Sequence, residues 1–194
     1  MHNPVELAQI DTVLRLVDRE VWIVTAAAEG KRGGLLATWV SAASIDRERP
    51  VLLAGLAPNH YTSDLVQKSR AFVAHLLRPE QSDLAWNFAK DSGRERDKFA
   101  NLNVTTGSTG APILEDCLAW CECRVFARYD AGDRLFLWGD VVAAGQPANG
   151  PALREQAFIR GLADEQRQLL VKDRTADVAV QRVWHEKWRS EQPW

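Results

Sequence analysis

The segment that decides the fold of this chain reads GGLLATWVSAAS and runs from Gly33 to Ser44. Its first half is a pair of glycines followed by an apolar run, which predicts a strand entered through a turn. Its second half, from Thr38 onward, mixes hydroxyl-bearing and small side chains along extended backbone. Such a strand suits a flat aromatic ligand that takes hydrogen bonds from backbone amides. Threonine and serine are also common on half-exposed strands, so both interpretations remain open at this point.

Apolar runs on both sides of this segment predict a mainly β protein. Val21 to Thr25 is β-branched and aromatic, and glycines separate it from a second run beginning at Leu35, so a hairpin is expected. An alternating run at 118–127, a turn at 130–133 and a run at 135–144 predict a second hairpin. Two further apolar strands are expected at residues 51–56 and 71–77.

A helix is predicted at the N-terminus. Asn3 is placed to cap it, and Glu6 can reach back to the cap. Its apolar residues recur at helical spacing: Leu7, Ile10, Val13, Leu14 and Val17. This amphipathic helix is expected to lie on another surface.

Two short helices are predicted between the middle strands. Thr62 or Ser63 is expected to cap the first, which runs through Lys68. Pro79 is expected to open the second, which ends near Gly93. Helices therefore interrupt the predicted sheet.

The tail has a different character from the rest of the chain. It is rich in glutamine, arginine and glutamate, and its apolar residues follow helical periodicity. Residues 1–150 are therefore predicted to form the β-rich domain, and residues 151–194 a helical extension packed on it or on a dimer partner. Trp184 and Trp188 lie four positions apart on one helical face and, together with Trp194, require a surface to pack against.

Composition excludes several classes of protein. Hydrophobic residues make up 46% of the 194 residues and charged residues 26%, which is typical of a folded globular chain. The formal net charge of -2 provides no positive field for nucleic acid. Without a secretory signal or an apolar run of about 20 residues, no membrane association is expected and a cytoplasmic location is predicted.

Motifs for hydrolysis or metal binding are not recognisable in the sequence. There is no nucleophile elbow, P-loop or His-Glu-x-x-His pattern. Cys117, Cys121 and Cys123 lack the paired spacing of a zinc site, so they are interpreted as core thiols and no metal is expected.

Several blocks of the sequence resemble those of the flavin reductase-like family, in the same order. The blocks are ATWVSAASID (37–46), PVLL (50–53), NHYT (59–62), LVQKS (65–69), FVAHLL (72–77), QSDLA (81–85), DKF (97–99), APIL (111–114) and GDVV (139–142). The resemblance covers about residues 21–142, and the ordered set is far more specific than any single block.

The resemblance implies a split β-barrel of Greek-key type with flanking helices and a helical C-terminal tail. It further implies a homodimer that binds FMN, or alternatively FAD, reduced by NADH or NADPH. The flavin carries the chemistry, so no catalytic side chain is expected. The residues expected to bind the cofactor are Thr38, Trp39, Val40, Ser41, Ala42, Ser44, His60, Thr62 and Lys98.

One position departs from the family pattern. Many of these reductases have a histidine after Gly-Asp in the last hairpin, whereas this chain has Gly132-Asp133-Arg134. Arg134 is a candidate for binding the nicotinamide nucleotide, and equally a candidate surface charge.

The principal hypothesis is an NAD(P)H:flavin oxidoreductase that passes electrons to free flavin, an oxygenase or another acceptor. The alternative is an FMN-binding electron-transfer protein, similar to a flavoredoxin, that does not oxidise NAD(P)H directly. A related split barrel with a different ligand, such as haem or a deazaflavin, is a third and weaker alternative.

Overall fold

The strands of the protein form one large antiparallel sheet and one small one. A computed structural model describes residues 3–193, so Met1, His2 and the predicted tail residue Trp194 lie outside the described residues. The nine strands are β1 (Trp22–Ala28), β2 (Lys31–Ala37), β3 (Val40–Ala42), β4 (Val51–Leu56), β5 (Ala71–Leu76), β6 (Val104–Thr106), β7 (Pro112–Leu114), β8 (Ala119–Asp130) and β9 (Leu135–Gly145).

The order of strands in the large sheet is β2-β1-β5-β8-β9-β4-β3, and β6 pairs with β7. The edge strands β2 and β3 are consecutive in sequence, with only Thr38 and Trp39 between them. Because three residue steps span at most about 11 Å, the sheet must curl until its two edges approach each other. The result is a half-barrel with Trp39 at the seam between its two edge strands, and the predicted split-barrel fold is confirmed.

Residues 3–193 also form five α-helices. They are α1 (Pro4–Leu14), α2 (Tyr61–Ser69), α3 (Ser82–Ala89), α4 (Glu155–Gly161) and α5 (Asp164–Ser190). The alternation along β1 divides the core: Val24 and Ala26 point to a cluster that includes Phe72, while Val21 and Ile23 point to a cluster that includes Phe88.

The hairpin β1–β2 is confirmed, but its second strand begins earlier than the sequence predicted. It starts at Lys31, so Gly33 and Gly34 are strand residues and not turn residues. A Cβ atom on Gly34 would lie 2.4 Å from Phe88 Cε1, and one on Gly33 would lie 2.9 Å from Leu65. These glycines are therefore required where α2 and α3 pack closely on β2.

Two predictions about the short helices were wrong. His60, and not Thr62 or Ser63, is the N-cap of α2, and the Ser63 hydroxyl donates instead to the Ala57 carbonyl at 2.7 Å. The segment after Pro79 forms a 3-10 turn followed by α3, which ends at Ala89 instead of near Gly93.

The first helix is capped as predicted but does not pack on its own barrel. Asn3 Oδ1 accepts from the Glu6 amide, and the Glu6 carboxylate accepts from the Asn3 amide. However, the apolar stripe is exposed, with Leu7 at 53% and Val13 at 61%.

The predicted helical tail has two parts with different burial. Leu153, Phe158 and Leu162 are buried in the core cluster around Phe88. In contrast, Gln181 is the buried residue of the 27-residue helix α5. Among residues 3–193, no helix combines the length and apolar character needed to cross a bilayer.

Candidate functional site

The seam of the half-barrel opens into a cavity of about 430 Å³. Thr38, Trp39, Val40 and Ser41 line one side of it. The Trp39 ring is 40% exposed and stacks on Phe136, with ring centroids 6.1 Å apart and planes within 14°. An exposed aromatic surface beside hydroxyl side chains and backbone amides can hold a flat heteroaromatic ring.

Arg134 covers the Trp39 ring. Its guanidinium carbon lies 4.9 Å from the ring centroid, and that of Arg19 lies 6.0 Å from the same ring. Burial lowers the pKa of Arg134 from its usual value, but an arginine remains protonated at neutral pH. The aromatic surface at the seam is therefore flanked by two positive charges.

A second cavity, of about 580 Å³, lies against the N-terminus of α2. Its volume falls within the range of roughly 300–1,000 Å³ found for small-molecule sites. The residues that line it come from β2, α2, the 88–98 segment and α5, and include Gly34, Leu35, His60, Thr62, Lys98, Asp173 and Asp177.

The start of α2 presents donors to this cavity. The amides of Ser63 and Asp64 donate to the His60 carbonyl, which leaves those of Tyr61 and Thr62 at the start of the helix, and the side chain of His60 makes no capping bond to them. Thr62, the second residue of the helix, is buried with 3% exposure. Amide groups, a hydroxyl and the helix dipole together suit an anionic group such as a phosphate.

Lys98 lies in the wall of the same cavity and is almost fully buried. Its Nζ donates to the Phe88 carbonyl at 3.0 Å. Burial, with a smaller contribution from the positive charge of Arg96, lowers its pKa to about 8. Lys98 is still largely protonated at pH 7, so it contributes a positive charge beside α2.

Side chains of α5 connect the two cavities. Arg134 Nη1 donates to Gln181 Oε1 at 2.7 Å, and Gln181 Nε2 donates to Asn59 Oδ1 at 3.1 Å. Asn59 Nδ2 in turn donates to Asp177 Oδ1 at 2.8 Å, and the other oxygen of Asp177 lies 3.2 Å from His60 Nε2. A continuous polar chain thus runs from the seam to the start of α2.

The predicted site residues therefore fall into four groups. Thr38 to Ser41 line the seam cavity, and His60, Thr62 and Lys98 line the cavity at α2. Ala42 and Ser44 lie beyond the seam cavity: Ala42 is exposed, and the Ser44 hydroxyl accepts from the Asp46 amide at 3.1 Å. Arg134 lies at the seam and is held from α5.

The cysteines belong to the body of the sheet. Cys117 and Cys123 are buried free thiols and Cys121 is half-buried. Burial raises the pKa of Cys117 to about 11, so this thiol is not ionised at neutral pH. Within residues 3–193, no group of three or more histidine, cysteine or acidic side chains is arranged to hold a metal ion.

Sequence reasoning missed four participants: Arg19, Phe136, Asp177 and Gln181. Phe136 could have been suggested from the sequence, because it is the second residue of β9, the strand that follows Arg134. Asp177 and Gln181 are four apart and so share one face of a helix. No local pattern indicates that this face of α5 contacts the site, because 118 positions separate Asn59 from Asp177.

The half-barrel, its aromatic seam and the adjacent cavity at the start of α2 define a flavoprotein fold of the reductase class. The chain belongs to the flavin reductase like domain family, whose model matches residues 14–167. The match extends past residue 150, where the sequence suggested a boundary.

A similar flavoprotein is consistent with membership of this family. The chain is 28% identical to diflavin flavoprotein A 1 of Synechocystis over 135 residues, which is 69% of this chain and 23% of that protein. The chain thus spans about a quarter of the length of that relative.

Two solved structures are similar in fold and sequence. Nitrilotriacetate monooxygenase component B from Mycobacterium thermoresistibile has a TM-score of 0.68 at 25% identity, covering 77% of this chain and 82% of that one. An FMN-binding protein from Thermus thermophilus, with bound p-hydroxybenzaldehyde, has a TM-score of 0.61 at 29% identity, covering 66% and 72%.

Proposed function

We propose that this chain is an FMN-binding NAD(P)H:flavin oxidoreductase that passes its electrons to free flavin, an oxygenase or another acceptor. The observation that carries the proposal is the pair of cavities, one at the half-barrel seam and one at the N-terminus of α2. One offers an aromatic surface at Trp39 with two arginines beside it. The other offers the N-terminus of α2 with Thr62 and Lys98.

The residues present fit a flavin mononucleotide. A phosphate matches the first two amides of α2, those of Tyr61 and Thr62, together with the Thr62 hydroxyl and the Lys98 charge. An isoalloxazine ring matches the strip from Thr38 to Ser41, where backbone amides and small polar side chains lie along the seam. The similar FMN-binding protein from Thermus thermophilus supports FMN over FAD as the resident cofactor.

The protein residues bind and orient, while the cofactor supplies the redox chemistry. Held by the strip from Thr38 to Ser41 and by the start of α2, a flavin would supply the capacity to take up a hydride from a nicotinamide and to release the electrons to an acceptor. Trp39 and Phe136 provide an apolar wall that excludes water from the reacting rings. Arg134 and Arg19 attract the negatively charged phosphates of the donor nucleotide to that wall.

We further propose that the protein is a homodimer in the cytoplasm. The exposed apolar stripe of α1 supports a partner surface, because Leu7, Ile10 and Val13 are 53%, 41% and 61% exposed in the single chain. A second copy of the chain is the proposed occupant of this face. The similarity to a monooxygenase component supports an oxygenase as one electron acceptor.

The proposal is tested by titrating the purified protein with FMN and then mixing the complex anaerobically with NADH and, separately, NADPH. We expect a dissociation constant for FMN in the micromolar range or tighter, and bleaching of the flavin absorbance by at least one donor. The absence of FMN binding would refute the proposal.

The second candidate function is an electron-transfer protein that holds FMN but is reduced by another protein. It is favoured by one observation: this chain has Arg134 after Gly132-Asp133, where the family resemblance leads one to expect a histidine. A flavin complex that stays oxidised with both NADH and NADPH, yet is reduced by dithionite, would support this candidate.

A further inference from the structure

Gln181 is the buried residue of α5, and its amide contacts both sides of the candidate site. Its side chain is 5% exposed, although the rest of the helix is largely accessible. A buried amide is costly unless it is hydrogen-bonded, and both ends of this one are bonded, to Arg134 and to Asn59. The best-buried contact of α5 is therefore polar.

The donors and acceptors around Gln181 determine which way its side-chain amide is oriented. A guanidinium has only donors, so the Gln181 oxygen must face Arg134 and its nitrogen must face Asn59. Asn59 cannot reverse its own amide to compensate for a change at Gln181, because its Nδ2 already donates to Asp177 at 2.8 Å. The three side chains therefore fix one another in a single arrangement.

The partners of Gln181 belong to different halves of the site. Arg134 lies over the Trp39 ring, on the side proposed for the nicotinamide donor. Asn59 precedes His60, the N-cap of α2, on the side proposed for the flavin phosphate. A single glutamine from the C-terminal helix thus constrains both halves at once.

We propose that Gln181 is a positioning residue that holds Arg134 for the nicotinamide donor and Asn59 for the flavin phosphate, and so couples the two binding events. The inference rests on the proposed function, because it assumes that the seam binds the donor and α2 binds the phosphate. A ligand that orders one partner of Gln181 orders the other, which makes the coupling reciprocal.

Three variants separate the roles of the two bonds. Gln181→Leu removes both, and we expect the KM for the donor to rise about tenfold, as for the loss of a hydrogen bond to a charged group, with a higher dissociation constant for FMN. Gln181→Glu keeps an acceptor for Arg134 but has no donor for Asn59, so it should weaken FMN binding while leaving the donor KM within about twofold of wild type. Gln168→Leu makes the same change at an exposed position of α5 and should match wild type.

A double-mutant cycle tests whether Gln181 acts through Arg134. In an Arg134→Ala background, Gln181→Leu should leave the donor KM unchanged, because the residue that it positions is gone. Additive effects would overturn the proposal. So would a Gln181→Leu protein that melts at lower temperature but keeps wild-type donor KM and FMN affinity, because that result describes a purely structural residue.

The wild-type controls distinguish failure of the inference from failure of the proposed function. A wild type that binds no FMN refutes the function itself. A wild type that binds FMN but oxidises neither donor supports the electron-transfer alternative. In that case the inference is decided by FMN affinity alone: it is overturned if Gln181→Leu and Gln181→Glu both bind FMN as tightly as Gln168→Leu.

Discussion

At the scale of single residues, the contacts of Arg134 in the folded protein indicate a role that its position in the sequence does not. Its place after Gly132-Asp133 on a tight turn suggests a surface charge as readily as a ligand contact. In the structure it is half-buried, stacked over Trp39 and held by Gln181. A side chain fixed in this way loses less conformational freedom when it binds a nucleotide, so it is suited to recognition.

Arg134→Ala should raise the KM for the nicotinamide donor about tenfold while changing kcat less, because an interaction made equally in the ground and transition states affects binding. Steady-state kinetics with saturating FMN measure this split. Arg128→Ala, at an exposed arginine of the same hairpin that pairs with Gln67, is the matched control. Wild-type kinetics in Arg134→Ala would show that the residue has no role in donor binding.

Thr62→Glu should weaken FMN binding by roughly tenfold or more, since a carboxylate at the start of α2 repels a phosphate. Thr62→Val, of similar size but without hydroxyl or charge, should lose less affinity. Fluorescence titration of FMN measures both variants. Because Thr62 is 3% exposed, thermal melting shows whether each variant is folded, and a folded Thr62→Glu with unchanged affinity would remove this residue from the site.

His75 makes stability depend on pH. Its Nδ1 lies 3.0 Å from the Ile23 carbonyl, while its Nε2 accepts from the Leu114 amide at 3.0 Å, so the ring is neutral. Burial lowers its pKa from 6.5 to about 4. The unfolded chain therefore binds the proton more readily, and the stability present above pH 6.5 is lost as the pH falls toward 4.

Between pH 7 and pH 5, this histidine should remove about 2 kcal/mol from the free energy of unfolding. Urea denaturation of wild type and His75→Gln at both values measures the effect. The variant is less stable at pH 7 but should lose about 2 kcal/mol less than wild type on acidification. Equal losses in the two proteins would show that His75 is not the titrating group.

At the scale of elements, α2 and α3 pack closely on β2 because two positions of that strand, Gly33 and Gly34, have no side chain. Gly33 and Gly34 face Leu65 and Phe88, and Phe88 meets Phe99 edge-on with ring centroids 5.4 Å apart. The same glycine-bearing strand lines the cavity at α2. Element packing and cavity shape are therefore determined by the same residues.

Gly34→Ala should destabilise the protein by about 1–3 kcal/mol, because the new Cβ overlaps the buried Phe88 ring. FMN affinity should fall with it, since Gly34 lies in the cavity wall. Gly161→Ala is the control: a Cβ there meets nothing within 4 Å, and alanine favours the helix by up to about 1 kcal/mol. Chemical denaturation of both variants decides the matter, and a Gly34→Ala protein as stable as Gly161→Ala would contradict the packing argument.

At the scale of the whole molecule, the tail does not behave as one unit. Leu153, Phe158 and Leu162 are part of the core, whereas α5 is held mainly at Gln181 and by contacts such as Trp188 on Tyr129. A truncation after Gly150 would remove core residues. A truncation after Ala163 removes α5 alone and is the better test of what that helix does.

The protein truncated after Ala163 should remain folded, because little apolar surface is lost from the core. FMN and donor affinities should both fall, since Asp177 and Gln181 no longer hold His60, Asn59 and Arg134. Titration measures the affinities, and light scattering measures the oligomeric state of both proteins. A truncated chain that stays dimeric and binds FMN as tightly as wild type would show that α5 serves neither the dimer nor the site.

The sequence by itself determined the local architecture of this protein. The β1–β2 hairpin, the β8–β9 hairpin and the capped α1 follow from alternation, turn residues and a capping pair within a few positions of one another. These features depend on local backbone preferences and on the apolar pattern of neighbouring residues, and both can be recognised within a short stretch of sequence. The overall fold was predicted from the order of the sequence blocks that resemble those of the flavin reductase-like family.

Only the tertiary structure decided how the site is assembled. The curling of the sheet placed Trp39 at a seam between two edge strands, and the return of α5 brought Gln181 to Asn59 across 122 positions. His60 is the N-cap of α2, and the Ser63 hydroxyl, which the sequence suggested as a cap, donates instead to the Ala57 carbonyl. Such contacts are set by competition among distant packing and hydrogen-bonding partners, which no local pattern records.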